Sequence, residues 1–280
     1  MNEPAVRFLA GSPRLHYLEW NPTGAPTLVL LHGNSANAWW WRPMADALTG
    51  DERVLALDLR GHGDSEWIRP ASYSPADYAD DLARLIVAAS AAGATVIGHS
   101  MGGIAVLAFA LRYKQLVRSV VAIDIAITSS LRRNRYLRHL RTIPTVKYLD
   151  LATAKARFRL MPNEGSIAPE IIAEIAERSV RRTAEGSYTM KFDRESFFGG
   201  DGLDVANAIA AVRIPLLLVR AECSRIMTAE AAAGARHSNS LVEVVTIPAA
   251  HHHLPLEAPE ALAQVIERFA AAHESSVRHV

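Results

Sequence analysis

Short apolar runs recur along this chain, and longer stretches with helical spacing lie between them. This alternation is typical of a mainly parallel β-sheet whose strands are joined by crossover helices. Because most runs are apolar at successive positions, they predict central strands that helices cover on both faces. The predicted strands are residues 27–32, 53–59, 94–99, 119–125, 215–221 and 242–247, and the predicted helices include 76–91, 101–113 and 257–272.

The alternation breaks between residues 128 and 210, where helical pieces punctuated by proline and glycine take over and the strands stop. Such an excursion between two core strands predicts a helical cap on the carboxyl edge of the sheet, where open α/β sheets bind ligands. The predicted organisation is an α/β core of residues 1–127 and 211–280 with a cap of residues 128–210.

The composition narrows the class of protein. Half of the 280 residues are hydrophobic and the formal net charge is +1, which suits one large α/β domain and argues against nucleic-acid binding. A single cysteine, Cys223, excludes an internal disulfide and favours a reducing compartment. The first residues lack a signal-peptide pattern, and no segment reaches the roughly 18 apolar residues of a membrane span. We expect a cytoplasmic protein, monomeric or homodimeric, that binds a small molecule and neither nucleic acid nor a membrane.

The first candidate for chemistry is Ser100. The sequence Gly-His-Ser-Met-Gly (98–102) follows a predicted strand and opens a predicted helix, which is the setting of a nucleophile elbow. The sharp turn exposes the serine hydroxyl at the edge of the sheet. The backbone N–H groups of Asn34, after the strand that ends in His-Gly, and of Met101 are the expected oxyanion hole.

A serine hydroxyl needs a neighbouring base to become a nucleophile. Three adjacent histidines, residues 251–253, lie between the last predicted strand and the last predicted helix. Adjacent side chains diverge, and no cysteine or carboxylate nearby has metal-ligand spacing, so a base is favoured over a metal site.

Four motifs together resemble the α/β-hydrolase superfamily over nearly the whole chain: LLHG (30–33), DLRGHGDS (58–65), GHSMGG (98–103) and PAAHHHLPLEAPE (248–260). The resemblance implies the α/β-hydrolase fold and a serine hydrolase that needs neither cofactor nor metal. It also aligns His252 with the family's catalytic histidine.

The acid that should orient this histidine is missing from its usual place. In most relatives the acid stands in the loop after the strand that here is 215–221, and counting through that loop lands on Ser224. Two replacements are open: Glu222 in the same loop, and Asp124 at the end of the strand 119–125. Asp124 could also merely cap its strand, and the site could lack an acid.

Within the superfamily, the chain is similar to the branch of E-2-(acetamidomethylene)succinate hydrolases. The similarity lies in LVRSVVAID (116–124) and in a serine at the later acid position. This resemblance implies Ser100, His252 and Asp124 as the catalytic triad.

Basic residues crowd the start of the predicted cap, where Asp150 is the only acid between residues 128 and 160. Most such charges lie on solvated helix faces, but a guanidinium facing the cleft would bind a carboxylate. The candidates are Arg132, Arg135, Arg138 and Arg157.

The expected function is cleavage of a small ester, lactone or activated amide such as an enamide, with a carboxylate-bearing substrate favoured, by acyl transfer to water. The alternatives are hydrolysis of a C–C bond in a vinylogous diketone by the same triad, and a non-catalytic ligand-binding protein of the same fold.

Overall fold

The computed structural model describes residues 3–197 and 202–274. Its strands are β1 (Ala5–Leu9), β2 (Leu15–Trp20), β3 (Thr27–Leu31), β4 (Arg53–Leu57), β5 (Ala94–His99), β6 (Val117–Ile123), β7 (Val180–Arg182), β8 (Tyr188–Met190), β9 (Leu216–Ala221) and β10 (Val242–Ile247). Its α-helices are α1 (Arg42–Ala47), α2 (Pro75–Ala88), α3 (Met101–Arg112), α4 (Leu131–Thr142), α5 (Leu151–Ala156), α6 (Pro169–Arg178), α7 (Val205–Ala211), α8 (Ala229–Ser238), α9 (Leu254–Glu257) and α10 (Pro259–Ala272).

The main sheet has the strand order β1-β2-β4-β3-β5-β6-β9-β10. From β4 to β10 all neighbouring strands are parallel, while β2 pairs antiparallel with both β1 and β4. All six strands predicted from the apolar runs are present, as are the three helices. The mostly parallel sheet flanked by helices is therefore confirmed.

Apolar clusters cover the sheet on both faces. One contains side chains of α2, α3, α7 and α8, and the other contains side chains of α1 and α10 together with Phe158, Leu160 and Ile175. Full burial of a valine, leucine, isoleucine, phenylalanine or methionine side chain contributes about 1.5–3 kcal/mol to folding. The second cluster therefore also holds part of the region after β6 against the core.

Two features of the sheet differ from the sequence prediction. Strands β1 and β2 were not predicted, because β2 carries His16 and Glu19 among its apolar residues and β1 is largely exposed at the sheet edge. Strand β10 is an edge strand rather than a central one, since it pairs only with β9 and exposes Glu243 and Thr246.

Residues 128–210, named the inserted segment below, contain α4, α5, α6 and most of α7. The prediction that strands stop here was wrong in one respect, because β7 and β8 form an antiparallel hairpin. Each of these strands has only three residues, too short for an apolar run to reveal. After the hairpin the chain bonds to the loop that follows β4, through Gly63 N–H to the Lys191 carbonyl (2.7 Å) and Asp193 N–H to the Gly61 carbonyl (2.7 Å). That this segment acts as a cap stays a prediction.

Candidate active site

Ser100 stands in a sharp turn between β5 and α3, with φ +53° and ψ −116°. A non-glycine residue rarely adopts this backbone conformation, and it persists only where the surroundings impose it. A Cβ at Gly98 would come within 2.3 Å of the Gly102 carbonyl oxygen, and one at Gly102 within 2.4 Å of the Leu31 carbonyl oxygen. The two glycines of the motif are therefore required by the close approach of the turn, the helix and β3.

Three loops at the carboxyl edge of the sheet bring Ser100, His252 and Asp124 together. The Ser100 hydroxyl lies 3.1 Å from His252 Nε2, and His252 Nδ1–H donates to Asp124 Oδ2 at 2.7 Å. Ser100 follows β5, Asp124 follows β6 and His252 follows β10. Because these strands are parallel, their carboxyl ends share one edge.

The three adjacent histidines have three different partners. His251 Nδ1 lies 2.9 Å from Glu257 Oε1, and His253 Nε2–H donates to the Pro162 carbonyl at 2.7 Å. Among the three, only His252 contacts both the serine and a carboxylate.

The two candidate acids, Glu222 and Asp124, have different partners around the loop after β9. Glu222 is exposed and accepts a hydrogen bond from the backbone N–H of Ala249 at 2.8 Å. Ser224 is buried, and its hydroxyl donates to Asp124 Oδ2 at 2.5 Å. The carboxylate of Asp124 thus lies against the residue that occupies the usual acid position.

Burial shifts the ionisation of both members of the imidazole–carboxylate pair. Removal from water raises the pKa of Asp124 to about 6, against the lowering effects of the Ser224 hydroxyl and of backbone N–H groups in the same loop. Burial, together with the neighbouring His253, lowers the pKa of His252 below its ordinary value of 6.5. A neutral imidazole at pH 7 is the form that can accept a proton from serine.

Two further residues position the histidine loop, and the motif pattern did not single them out for this. His99 is buried, and its Nε2–H donates to the His252 carbonyl at 2.7 Å. Glu164 Oε1, from the inserted segment, accepts the backbone N–H of His252 at 3.2 Å. His99 lies within the elbow motif, but no pattern marked Glu164, which is 88 residues from its partner.

The loop after β3 lies against the elbow. A Cβ at Gly33 would stand 3.3 Å from Ser100 Cβ, so Asn34, the next residue, is adjacent to the serine. The N–H of Met101 begins α3, and N–H groups in the first turn of a helix lack intrahelical acceptors. That these two N–H groups form an oxyanion hole stays a prediction.

A cavity of about 240 Å³ lies between the inserted segment and the core. Its lining does not include Ser100, His252 or Asp124. It lies near them, because Ser35 follows Asn34 and Trp40 packs edge-on against His253 with ring centroids 5.6 Å apart. Its apolar walls include Phe158 and Phe192, and its basic residues are Arg157, Arg159 and Arg194. In the described parts of the chain, no ion pair joins these three guanidinium groups to a carboxylate.

The four candidate arginines therefore lie in different surroundings, and not all of them line the cavity. Arg157 lines the cavity, although its side chain is also exposed to solvent. Arg132 and Arg135 line a groove along the outside of α4, and Arg138 is exposed without lining the cavity. Arg159 and Arg194 were not among the candidates. Arg159 belongs to the same basic run, but nothing in the sequence near Arg194 indicates that the fold returns it to the cavity.

Among the residues that the structure describes, one group outside this site combines side chains that can ligate a metal: His16, Asp58 and Asp64, whose ligand atoms lie within 4.8 Å of one another. Asp58 already accepts hydrogen bonds from the backbone N–H groups of Ala38 (2.6 Å) and Asp64 (2.8 Å) and lies 2.6 Å from His16 Nδ1. These bonds tie the loops after β3 and β4 to β2, which is a structural role.

Comparison with known proteins decides the family. The model of the alpha/beta hydrolase family matches residues 28–265. The chain belongs to this family. The predicted fold class and the prediction of an α/β-hydrolase enzyme are thereby confirmed.

Similarity to individual proteins supports this family assignment. The chain is 30% identical over 250 residues to 2-(acetamidomethylene)succinate hydrolase of Mesorhizobium japonicum, covering 87% of each chain. It is 26% identical over 261 residues to an esterase of Mycobacterium tuberculosis, covering 89% of this chain and 84% of the relative. The crystal structure of E-2-(acetamidomethylene)succinate hydrolase superposes with a TM-score of 0.82 at 27% identity, covering 96% of this chain and 99% of that one. The resemblance to that branch is confirmed.

Within residues 3–197 and 202–274, none of the helices combines the length and the apolar character needed to cross a bilayer.

Proposed function

We propose that this hydrolase uses Ser100, His252 and Asp124 to cleave a small, carboxylate-bearing ester, lactone or activated amide by acyl transfer to water. The observation that carries the proposal is the continuous contact from the Ser100 hydroxyl through His252 to Asp124, at 3.1 and 2.7 Å. Hydrogen-bonded nucleophile, base and orienting acid define this chemistry by geometry, whatever the order of the residues in the chain.

In the first half of the reaction, Ser100 Oγ attacks the substrate carbonyl and its proton passes to His252 Nε2. Asp124 accepts the hydrogen bond from Nδ1–H and stabilises the imidazolium that forms. The amides of Asn34 and Met101 hold the oxyanion, and one such donor typically contributes 10²–10³-fold in turnover. His252 then protonates the leaving group.

In the second half, water attacks the acyl carbonyl and His252 takes a proton from it. His252 then gives this proton to Ser100 Oγ as the acyl C–O bond breaks, which releases the acid and restores the serine hydroxyl. The acyl group stays on Ser100 between the two halves, so the scheme needs no cofactor.

The cavity supports the choice of substrate. Its volume of about 240 Å³ suits a small molecule, and Arg157, Arg159 and Arg194 supply positive charge against apolar walls. A planar guanidinium is suited to a carboxylate. The name of the Mesorhizobium relative, 2-(acetamidomethylene)succinate hydrolase, describes an enamide of a dicarboxylic acid, which favours the same class.

The experiment is active-site labelling followed by kinetics. A fluorophosphonate should label the wild-type protein at Ser100 and should not label the Ser100→Ala variant. A carboxylate-bearing ester should then be hydrolysed with a higher kcat/KM at low salt than its neutral isostere. Absence of labelling in folded wild-type protein would contradict the proposal, and turnover of a vinylogous diketone without ester turnover would favour C–C hydrolysis.

A further inference from the structure

Ser224 occupies a confined place in the loop after β9. It is 6% exposed, and its backbone N–H donates to the Ala221 carbonyl at 3.2 Å, which closes a tight turn directly after the strand. The mechanism above assigns it no role, although its hydroxyl reaches the carboxylate of the proposed triad.

The direction of the Ser224 hydroxyl is set by its two partners. Its Oγ accepts the backbone N–H of Ile226 at 3.1 Å and lies 2.5 Å from Asp124 Oδ2. The backbone N–H of Ile226 can only donate, so the Ser224 hydroxyl oxygen accepts this hydrogen bond with one of its lone pairs. The hydroxyl proton is then free to point at the carboxylate, and Ser224 donates to Asp124.

Asp124 Oδ2 receives two hydrogen bonds, one from His252 Nδ1–H and one from the Ser224 hydroxyl. The backbone of Asp124 is held at φ +44°, and its N–H donates to the Val219 carbonyl in β9 at 2.8 Å. The main chain thus brings the carboxylate to the end of β9, where the Ser224 hydroxyl fixes one of its oxygens toward the imidazole.

The hydrogen bond also acts on the charge of Asp124. A donor that bonds to a carboxylate stabilises its ionised form. Burial raises the pKa of Asp124 to about 6, and the Ser224 hydroxyl is the largest of the effects that lower it. Without that donor, a larger share of Asp124 would be protonated near neutral pH.

We propose that Ser224 is a positioning residue that keeps Asp124 ionised and holds Oδ2 in line with His252. It acts through Asp124, and the inference rests on the proposed triad. A serine at the usual acid position is therefore the support for an acid that arrives from the neighbouring strand.

The main test is the pH dependence of the Ser224→Ala variant with an activated ester. Loss of one hydrogen bond to a charged group should lower kcat about tenfold and move the acid limb of the pH profile upward by about one pH unit. KM should stay within about twofold, because Ser224 is not expected to contact substrate. A residue that only packed the loop would lower the folded fraction without moving the acid limb.

Three further variants serve as comparison. Ser224→Thr keeps the hydroxyl and should retain the wild-type acid limb, whereas Ser224→Cys offers a weaker donor and should shift the limb in the direction of alanine. Glu222→Gln changes an exposed residue of the same loop, which bonds elsewhere, and should leave kcat and the limb unchanged. If the Ser224→Ala variant does not fold, the acid limbs of the Ser224→Thr and Ser224→Cys variants are compared instead. A limb at higher pH in the cysteine variant supports the proposal.

The proposal is overturned if folded Ser224→Ala keeps the wild-type kcat and acid limb, or if the threonine and cysteine variants have the same limb. These outcomes are separable from failure of the proposed function. If wild-type protein reacts with the fluorophosphonate and Asp124→Asn loses turnover, the triad stands and only the role of Ser224 falls. If wild-type protein does not react, both fall.

Discussion

The carboxyl edge of the sheet and the start of the inserted segment differ in how far their side chains are buried. Asp124 and His252, at the sheet edge, are 0% and 3% exposed, whereas Leu131, at the start of α4, is 81% exposed. The edge residues join through bonds of 2.5–3.1 Å between loops far apart in sequence. Most of the arginines on α4 instead face outward.

The two regions are suited to different tasks, which are catalysis and substrate selection. Catalysis needs groups held within a fraction of an ångström, which a buried edge of parallel strands provides. Substrate selection needs charge and shape at the wall of a cavity, and loops and short helices around a rigid scaffold can supply these. We infer that the sheet edge determines the reaction and that the inserted segment determines the substrate.

The largest effect should follow from removing the charge at the sheet edge. Asp124→Asn should lower kcat by about 10⁴-fold, as the same substitution does in a chymotrypsin-like protease, because the imidazolium loses its partner and the histidine its tautomer. Glu222→Gln should change kcat by less than about twofold. Steady-state kinetics with an activated ester measure both, and the reverse result would assign the acid to Glu222.

The packing behind the edge should be the next most sensitive feature. Gly102→Ala places a Cβ within 2.5 Å of the His32 carbonyl oxygen, a backbone atom that cannot turn aside. In a helix interior, alanine is more stable than glycine by about 1 kcal/mol, but overpacking lowers the free energy of unfolding by about 1–3 kcal/mol. We therefore expect the variant to be less stable than the wild-type protein.

Gly234→Ala in α8 is the matched control, because nothing lies within 4 Å of its added Cβ. It should raise the free energy of unfolding by about 0.5–1 kcal/mol. Urea unfolding monitored by circular dichroism compares the two variants, and equal changes would mean that the approach to β3 is not limiting.

Substitutions in the inserted segment should alter the preference of the enzyme between substrates. Arg194→Gln should reduce the preference for a carboxylate-bearing ester over its neutral isostere by about tenfold, the loss of one charged hydrogen bond. Arg132→Gln, on the outer groove of α4, should leave that preference unchanged. The ratio of the two kcat/KM values at low salt is the measurement, and equal ratios in both variants would remove Arg194 from substrate binding.

The smallest effect concerns pH. Activity should fall as pH decreases, because protonation of His252 removes the base and protonation of Asp124 removes its acceptor. Burial lowers the pKa of His252 and raises that of Asp124 to about 6. The acid limb of kcat should therefore have its midpoint near or below pH 6, lower than that of an ordinary histidine. A midpoint above 6.5 would contradict this assignment.

Much of the framework was predictable because it depends on neighbours in sequence. The apolar runs of β3 to β6 and β9 are buried on both faces, and an unbroken apolar run indicates such a strand directly. The elbow at Ser100 was predictable for a similar reason, since its glycines are the local requirement of a sharp turn. Strand β2 and the hairpin of β7 and β8 escaped prediction because their partners, and not their own composition, hold them in place.

The sequence by itself determined the alternation of strands and helices, the elbow at Ser100 and the set of residues eligible for each role. The resemblance implied that Asp124 pairs with His252, but only the tertiary structure showed the contact between them and which arginines line the cavity. The reason is distance along the chain: Asp124 meets His252 across 128 residues and Ser224 across 100. No local pattern encodes these contacts, because they depend on the spatial order of the parallel strands across the sheet.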